Sequence, residues 1–416
     1  MKKCLTLLGL VLLANVSAQF NCVTDKKMKQ FYGKNPQAFL HQKDLYNYLS
    51  SKNTNTGKNT QTVITIPIVV HVLYKNAVQN ISDAQIASQI AVLNQDFRKL
   101  NADSNNAPDV FKPVRSDMEV MFCLATKNPS GNITNGIVRK SVSNNFNFEE
   151  DYFKSIGSVA WDPTKYLNIW VGNPNDPNLG GWSSVLADVG NSDDGIGMNY
   201  TTFGTVGTAI FPYNKGRSMT HEVGHYLGLL HPFGEDTDVP PNSANCGTPS
   251  FDDFCADTPA TYYPYSGSPT FPNNTYTCTP TSSGAMFMNF MDYTRDEVKV
   301  MFTNDQKTIV TNTLAGPRAS LLNSNGCSSV LGVHEVEKVN SITIFPNPSS
   351  QYISIASPLM KINTAEIFNS EGRLVKKADI KNETYKIDVR DLASGVYFVR
   401  TYNNYDFVKS MKFIKK

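Results

Sequence analysis

Three of the six histidines in this chain fall within residues 221–231, which read HEVGHYLGLLH. On a helix, His221 and His225 lie one turn apart on one face, where both imidazoles can bind one zinc ion. Gly228 can adopt the left-handed backbone that ends a helix, and the turn can bring His231 round as a third ligand. Three protein ligands leave the fourth zinc position open to water, which is typical of a catalytic site.

Glu222 directly follows the first of these histidines, where a carboxylate can take a proton from zinc-bound water and pass it to a leaving amine. Zinc lowers the pKa of its bound water from about 15.7 to about 7, which makes hydroxide available near neutral pH. The pattern therefore predicts a zinc hydrolase. A buried helix with an incidental HExxH is one alternative, against which the added glycine and third histidine argue. A purely structural zinc is the other.

The elements that must position this helix form an α/β domain. Residues Val63–Tyr74 are a near-continuous β-branched run, typical of a strand buried on both faces. Ser82 can cap a following amphipathic helix, and residues 118–125 and 166–171 read as further strands. Arg217–Leu230 returns to a helical pattern. We therefore expect a mixed, twisted sheet with helices packed against it.

The chain length predicts more than one domain. Residues 1–18 read as a signal peptide, because Lys2 and Lys3 precede a short apolar run and small residues follow it. A membrane anchor is the alternative, but about 20 apolar residues are needed to span a bilayer. We predict a propeptide and linker at 19–61, a globular domain at 62–325, a linker at 326–340 and a small all-β domain at 341–416.

Charge and cysteine content narrow the classes of function. Lys and Arg total 38 and Asp and Glu 36, so the net charge of +2 excludes strong binding to nucleic acid or to an anionic membrane surface. Export leaves six of the seven cysteines, an even number that permits disulfides in 15 connectivities. Cys246, Cys255 and Cys278 lie close together, so we expect one bridge among them, with Cys246 and Cys278 as the candidate pair. A fully reduced set is the alternative.

The histidine stretch matches HExxHxxGxxH, the metzincin signature, at every specified position. Further agreement lies in the Met-turn sequence around Met291 and in several other segments. Together these resemble the pappalysin family, specifically its small bacterial members, over residues 62–315. The matching segments are Ile66–Val72, Phe122–Ala125, Tyr166–Val171, Gly216–Thr220, Asp257–Pro259, Asn289–Tyr293 and Met301–Thr303 with Gln306.

The resemblance implies roles for residues near the metal. Met291 would form an apolar floor beneath the imidazoles, which is close to the alternative of an ordinary core methionine. Tyr293 would place its hydroxyl near the metal to stabilise the oxyanion, or would be a core tyrosine. Backbone at residues 180–184 would line the rim of a cleft for an extended peptide. His71 is expected to be a core histidine rather than a ligand.

The resemblance also implies a zymogen. In relatives a propeptide cysteine occupies the open zinc position, and Cys22 follows the predicted signal as such a cysteine would. Its alternative is a disulfide. Just beyond the Met-turn, Asp296 and Glu297 would favour Arg or Lys after the scissile bond, unless both face solvent.

Calcium is implied in the long loop at residues 232–284. Asp252, Asp253, Asp257 and Thr258 offer clustered oxygen ligands there, and solvated surface carboxylates are the alternative. Where some relatives carry a cysteine, this chain has Val298, which puts one family disulfide in doubt and leaves Cys255 to another partner.

The last domain resembles a type A sorting domain of the type IX secretion system, on the segments Phe345–Pro348, Asn369–Arg373 and Leu392–Val399. It implies a Bacteroidota-type bacterium and a secreted or surface-bound product. A carbohydrate-binding sandwich is the alternative. The sequence thus predicts a secreted zinc endopeptidase acting on proteins or peptides, without a membrane span. The alternative is a surface binding or adhesion protein whose zinc is structural or inert.

Overall fold

The computed structural model describes residues 21–51, 63–234, 242–247, 252–327, 342–357, 361–370, 373–380, 384–403 and 406–416. The chain divides into two compact units, with the division between residues 328 and 329. The predicted signal peptide and most of the two predicted linkers lie outside the described residues. In the described ranges, no helix has the length and apolar character needed to cross a membrane.

The first unit is built on a seven-stranded sheet in the order β1-β6-β7-β5-β2-β3, with β4 also paired to β2. Only the β6–β7 pair is antiparallel, which confirms the mixed sheet. The central β2 is buried along almost its whole length, as its β-branched run predicts. The strands are β1 Asn21–Cys22, β2 Ile64–Tyr74, β3 Val120–Leu124, β4 Ile137–Ser141, β5 Leu167–Gly172, β6 Leu179–Ser183 and β7 Ile196–Asn199. A separate two-stranded sheet pairs β8 Ser266–Gly267 with β9 Tyr293–Thr294.

Helices cover this sheet and share its core. Ser82 caps α3 as predicted, since its side chain accepts a hydrogen bond from the backbone N–H of Gln85 at 3.2 Å. The helix that carries the histidines, α5, is buried almost throughout. The helices are α1 Thr24–Lys34, α2 Pro36–Ser50, α3 Asp83–Phe97, α4 Phe148–Asp151, α5 Arg217–Tyr226 and α6 Asn304–Ala315. Short 3₁₀ turns occur at Ala102–Asn106, Lys112–Val114, Leu186–Asp188, Ser243–Asn245 and Ala319–Asn323.

The predicted propeptide contains more structure than its polar composition suggests. It supplies β1, α1 and α2, and its side chains Met28, Tyr46 and Leu49 are buried in the same core as the sheet. The Asn312 amide of α6 donates to the Leu49 carbonyl at 2.8 Å. The segment is therefore packed against the rest of the first unit.

The second unit is all-β, as predicted, and sandwich-like. A three-stranded sheet in the order β10-β11-β14 and a four-stranded sheet in the order β13-β12-β15-β16 share one apolar core. The sequence pattern missed β13, whose run LVKKAD has little apolar alternation. The strands are β10 Thr343–Phe345, β11 Tyr352–Ala356, β12 Thr364–Asn369, β13 Leu374–Asp379, β14 Thr384–Asp388, β15 Gly395–Asn403 and β16 Asp406–Lys415.

Candidate zinc centre and substrate cleft

Helix α5 is fixed at its start by charged groups. It begins after Gly216, whose φ of 74° lies in the left-handed region. The Arg217 guanidinium donates to both oxygens of Asp103, at 2.7 and 2.5 Å. One turn on, the Thr220 hydroxyl donates to Asp96 of α3 at 2.8 Å. The two histidines of the helix therefore project from a rigid element.

The helix ends at Tyr226, four residues before the predicted end at Leu230, because Gly228 turns the chain with a φ of 92°. A Cβ on Gly228 would lie 2.5 Å from Thr313 Oγ1, so both conformation and space favour glycine. The turn returns the Leu229 carbonyl to His225 Nδ1, which donates to it at 2.8 Å.

Three imidazole nitrogens converge at the end of this turn. The Nε2 atoms of His221, His225 and His231 lie 3.0–3.2 Å from one another. The Nδ1 atoms of His221 and His225 donate to the Phe290 and Leu229 carbonyls, which leaves each Nε2 as an acceptor.

Three imidazole nitrogens that face one another, two of them fixed as acceptors, fit a bound cation. Zinc–nitrogen distances of about 2.0–2.1 Å in a tetrahedron separate the nitrogens by about 3.3 Å. The His221, His225 and His231 spacing in this structure is close to that value. The donor set therefore fits zinc.

Met291 lies beneath the helix. It is fully buried, and a Cβ built on Gly224 would come 2.3 Å from its sulfur. The residue before it, Phe290, supplies the carbonyl that orients His221. Met291 thus packs against α5, and its role as an apolar floor beneath the imidazoles stays a prediction.

Cys22 is the fourth residue of this cluster. Its Sγ and the three histidine nitrogens all lie within 4.8 Å of one another, and this is the only such group of metal-binding side chains in the described part of the chain. Cys22 forms no disulfide, so the disulfide alternative does not hold in this structure. We call Cys22, His221, His225 and His231 the zinc centre.

Glu222 is buried beside the zinc centre and contacts the amino-terminal segment, by which we mean residues 21–51 with β1, α1 and α2. Its Oε2 accepts from the Cys22 thiol at 3.5 Å and from the Thr24 hydroxyl at 3.1 Å. Burial raises the pKa of Glu222 to about 7, against the effect of these two hydrogen bonds. The Thr24 hydroxyl also accepts from the backbone N–H of Ser183 in β6 at 2.9 Å.

Tyr293 lies at the mouth of the centre. Its ring is 5.7 Å from that of His221 and 4.9 Å from that of His231, centroid to centroid. Its hydroxyl donates to the Cys22 carbonyl at 3.4 Å. It is thus half-buried at the site rather than a remote core tyrosine.

A cavity beside the zinc centre includes groups that sequence reasoning missed. It is lined by Gly180 and Gly181 of β6, by Tyr213 and Ser218, by Asp292 and Lys299, and by Cys22, His221, Glu222 and Tyr293. The glycines lie in the predicted rim. Asp292 lies within the segment Asn289–Tyr293 and Lys299 lies just before Met301–Thr303, but no sequence pattern indicated that the two side chains would be buried and line a cavity.

The two acids predicted for a substrate pocket do not line this cavity. Asp296 is fully buried, and its Oδ2 accepts from the backbone N–H groups of Lys215 and Arg217 at 2.9 and 3.2 Å. Glu297 is exposed and accepts from the Ser268 hydroxyl at 3.1 Å. The alternative, that both face solvent, holds for Glu297 alone.

The residues predicted to bind calcium make hydrogen bonds within the loop, and one of them, Asp257, also binds the start of α6. Asp253 is buried and accepts from the Thr258 hydroxyl at 2.7 Å, and burial raises the pKa of this carboxyl to about 8. Asp257 accepts from the backbone N–H of Asp305 at 3.0 Å, while Asp252 is exposed. They do not form a metal-binding group within the described residues, so calcium stays a prediction.

Two disulfides close the first unit. Cys246 is bonded to Cys278, which is the pair predicted from the sequence. Cys123 is bonded to Cys327, which lies two residues beyond the predicted end of the domain at residue 325. Cys255 is buried and has no disulfide partner, contrary to the expectation that it finds one. His71 is a core histidine as expected, with its ring nitrogens hydrogen-bonded to Ser158 and Asn168.

Comparison with known proteins gives the family. The model of the pregnancy-associated plasma protein-A family matches residues 150–315. The structure of a promirolysin mutant from Tannerella forsythia is 38% identical, covers 73% of this chain and 97% of that chain, and superposes with a TM-score of 0.64. The chain belongs to the pappalysin family. Its first unit accordingly has the metzincin fold.

Other relatives support the same family assignment. Mature mirolysin from the same organism, in complex with a cleaved peptide, is 42% identical over 63% of this chain and 96% of that chain, with a TM-score of 0.57. An extracellular metalloprotease from Arthroderma otae is 28% identical over 58% of this chain and 75% of its own length. The chain spans only 19% and 28% of the length of two further curated relatives.

A secretion system C-terminal sorting domain matches residues 343–416. This confirms the sorting domain rather than a carbohydrate-binding sandwich. The protein is accordingly secreted or carried on the cell surface of a Bacteroidota bacterium.

Proposed function

We propose that this protein is made as a latent zinc endopeptidase and hydrolyses peptide bonds in proteins once its amino-terminal segment is removed. The observation that carries the proposal is the triangle of Nε2 atoms on His221, His225 and His231, with the buried Glu222 carboxylate beside it. Family membership supports the same reading, and the sorting domain implies that the type IX machinery exports the protein.

His221, His225 and His231 would hold the metal, and Cys22 would complete its ligands in the latent form. Zinc, when bound, acidifies a water ligand and polarises a carbonyl. Glu222 then acts as general base. Its Oε2, which accepts from Cys22 and Thr24 in this structure, is the acceptor for the water proton after the segment leaves, and it returns that proton to the leaving amine.

Tyr293 contributes a hydrogen-bond donor. In this structure its hydroxyl donates to a backbone carbonyl in the cleft, that of Cys22. We infer that the same hydroxyl donates to the scissile carbonyl oxygen as negative charge develops there. A donor already aimed at that place costs no reorganisation during the reaction.

The rim strand would bind the substrate backbone. Strand β1 pairs in parallel with β6, with Cys22 opposite Gly181. When β1 leaves, β6 presents an unpaired edge beside the zinc centre, and an extended peptide can add to it. A preference for Arg or Lys after the scissile bond would additionally need an acid free to pair with it, and Asp296 already lies 3.8 Å from Lys299.

The test compares the processed wild type with Glu222→Gln on casein and on a quenched peptide library. Glu150→Gln, on the surface of α4, is the matched control. We expect a zinc chelator to abolish cleavage, Glu222→Gln to lower kcat by about 10²–10⁴-fold with zinc content unchanged, and Glu150→Gln to cleave normally.

An adhesion protein with an inert zinc site would give a different result. It would bind zinc through the same histidines, yet the processed protein would cleave no peptide. Cleavage that survives in Glu222→Gln would instead keep the enzyme and remove Glu222 from the mechanism.

A further inference from the structure

A lysine side chain lies in the cleft, and the proposed mechanism does not use it. Lys299 is only 4% exposed, yet it lines the same cavity as His221 and Glu222. Tyr213, Ser218 and Asp292 also line this cavity. A buried lysine is costly unless it is paired, so its place beside a substrate cleft calls for a functional reason.

The carboxyl group next to Lys299 is only partly satisfied. Two backbone N–H groups donate to Oδ2 of Asp296, whereas Oδ1 accepts no hydrogen bond from any described residue. The Lys299 Nζ lies 3.8 Å from that Oδ1. The amino group therefore stands where a basic substrate side chain would have to lie in order to pair with Asp296.

Other acids surround the same amino group. Asp292 is buried, and its Oδ1 accepts from the backbone N–H groups of Tyr265 and Tyr293 at 3.0 and 2.7 Å. Burial lowers the pKa of Lys299, and the nearby carboxyl groups of Asp296, Asp292 and Glu222 oppose that shift. An incoming carboxylate would be repelled by these three acids, and an incoming cation would be repelled by Lys299.

We propose that Lys299 makes the cleft reject Arg and Lys at a position flanking the scissile bond and accept an uncharged side chain with a hydrogen-bond-accepting oxygen, as in glutamine. The inference rests on the proposed function and narrows its substrate class. An amide oxygen can accept an N–H of Lys299 without adding charge to the cavity. A second cation would have to displace Lys299 from Asp296 inside a buried site.

The experiment uses matched peptides that differ only in carrying Gln, Arg or Glu on either side of the cleaved bond. Processed wild type, K299M and K165M are compared by kcat/KM. Lys165 is an exposed lysine of the same unit, paired with Asp162 at 3.5 Å and absent from the cavity lining.

We expect wild type and K165M to prefer Gln over both Arg and Glu by about tenfold at one of the two positions, a difference that one buried polar contact can supply. In K299M, Oδ1 of Asp296 loses the ammonium group that lies 3.8 Å from it, so the Gln-to-Arg ratio should shift towards Arg by at least about tenfold. An Arg preference in wild type, or equal ratios in K299M and K165M, would overturn the inference.

Removal of Lys299 alone leaves the buried Asp296 with Arg217 as its nearby cation and takes the ammonium group away from Oδ1, so thermal unfolding is measured first. If K299M does not fold, D296N/K299M removes both charges and should lose the wild-type discrimination between Gln and Arg. Discrimination that persists in the double variant contradicts the role of Lys299. No cleavage of any peptide by folded, zinc-loaded wild type would instead overturn the proposed function itself.

Discussion

Thr24→Val tests how the amino-terminal segment silences the site. The Thr24 hydroxyl donates to Glu222 Oε2 at 3.1 Å and accepts from the Ser183 N–H at 2.9 Å, and the residue is 2% exposed. Valine keeps the shape and removes both hydrogen bonds. The substitution should therefore weaken docking of the segment without changing its zinc ligand, Cys22.

The magnitude follows from the hydrogen bond to the carboxylate. Hydrogen bonds to charged groups contribute about 1.5–3 kcal/mol, and about 1.4 kcal/mol corresponds to a factor of ten in an equilibrium constant. The open fraction of the zymogen should rise about 10- to 100-fold. Because the Ser183 N–H also loses its acceptor in the docked state, this range is a lower bound.

The assay is the rate at which iodoacetamide alkylates Cys22 in the intact zymogen, followed by peptide mass spectrometry. The other free cysteine, Cys255, is buried and serves as an internal reference. Thr164→Val, at an exposed threonine, is the matched control. An alkylation rate in Thr24→Val within about threefold of that control would refute the reasoning, because the expected change is at least tenfold.

Three further predictions concern the scaffold. Gly224→Ala should lower the free energy of unfolding by about 1–3 kcal/mol, since its Cβ would lie 2.3 Å from the Met291 sulfur, and Met291→Ala should relieve part of that loss in a double-mutant cycle measured by denaturant. Burial lowers the pKa of His71 to about 4, so the folded protein holds this imidazole neutral while the unfolded chain protonates it below about pH 6.5. The corresponding stabilisation, about 3 kcal/mol in the free energy of unfolding, is complete above about pH 6.5 and is lost as the pH falls towards 4. The free energy of unfolding of wild type should therefore fall more steeply with acid than that of His71→Leu. Replacing Cys123 and Cys327 by serine should lower stability by about 5 kcal/mol, because the bridge closes a loop with a sequence separation of 204; an unchanged midpoint would contradict this.

Local patterns were enough to predict the elements that hold the site. The spacing of His221 and His225 and the turn at Gly228 are short-range features, and each lies where the sequence places it. The β-branched run of β2 likewise predicts a buried central strand. In these cases one physical requirement, a ligand spacing, a positive φ or an apolar face, acts within a few residues.

Contacts between distant segments could not be predicted. Thr24 and Glu222 are 198 positions apart, and nothing local to Thr24 indicates that its hydroxyl meets a carboxylate. Lys299 reads as a surface residue, because lysine seldom is buried, and only the packed structure shows Asp296 beside it. The docked helices α1 and α2 were missed because their composition is polar and only a few side chains are buried.

The central claim is that three imidazoles hold one zinc whose remaining position belongs to Cys22 before processing and to solvent afterwards. X-ray absorption at the zinc edge of the zymogen and of the processed protein tests it directly. We predict three nitrogen neighbours in both forms, with one sulfur at about 2.3 Å in the zymogen that is replaced by oxygen after processing. Fewer than three imidazoles, or a zymogen without zinc-bound sulfur, would contradict the account.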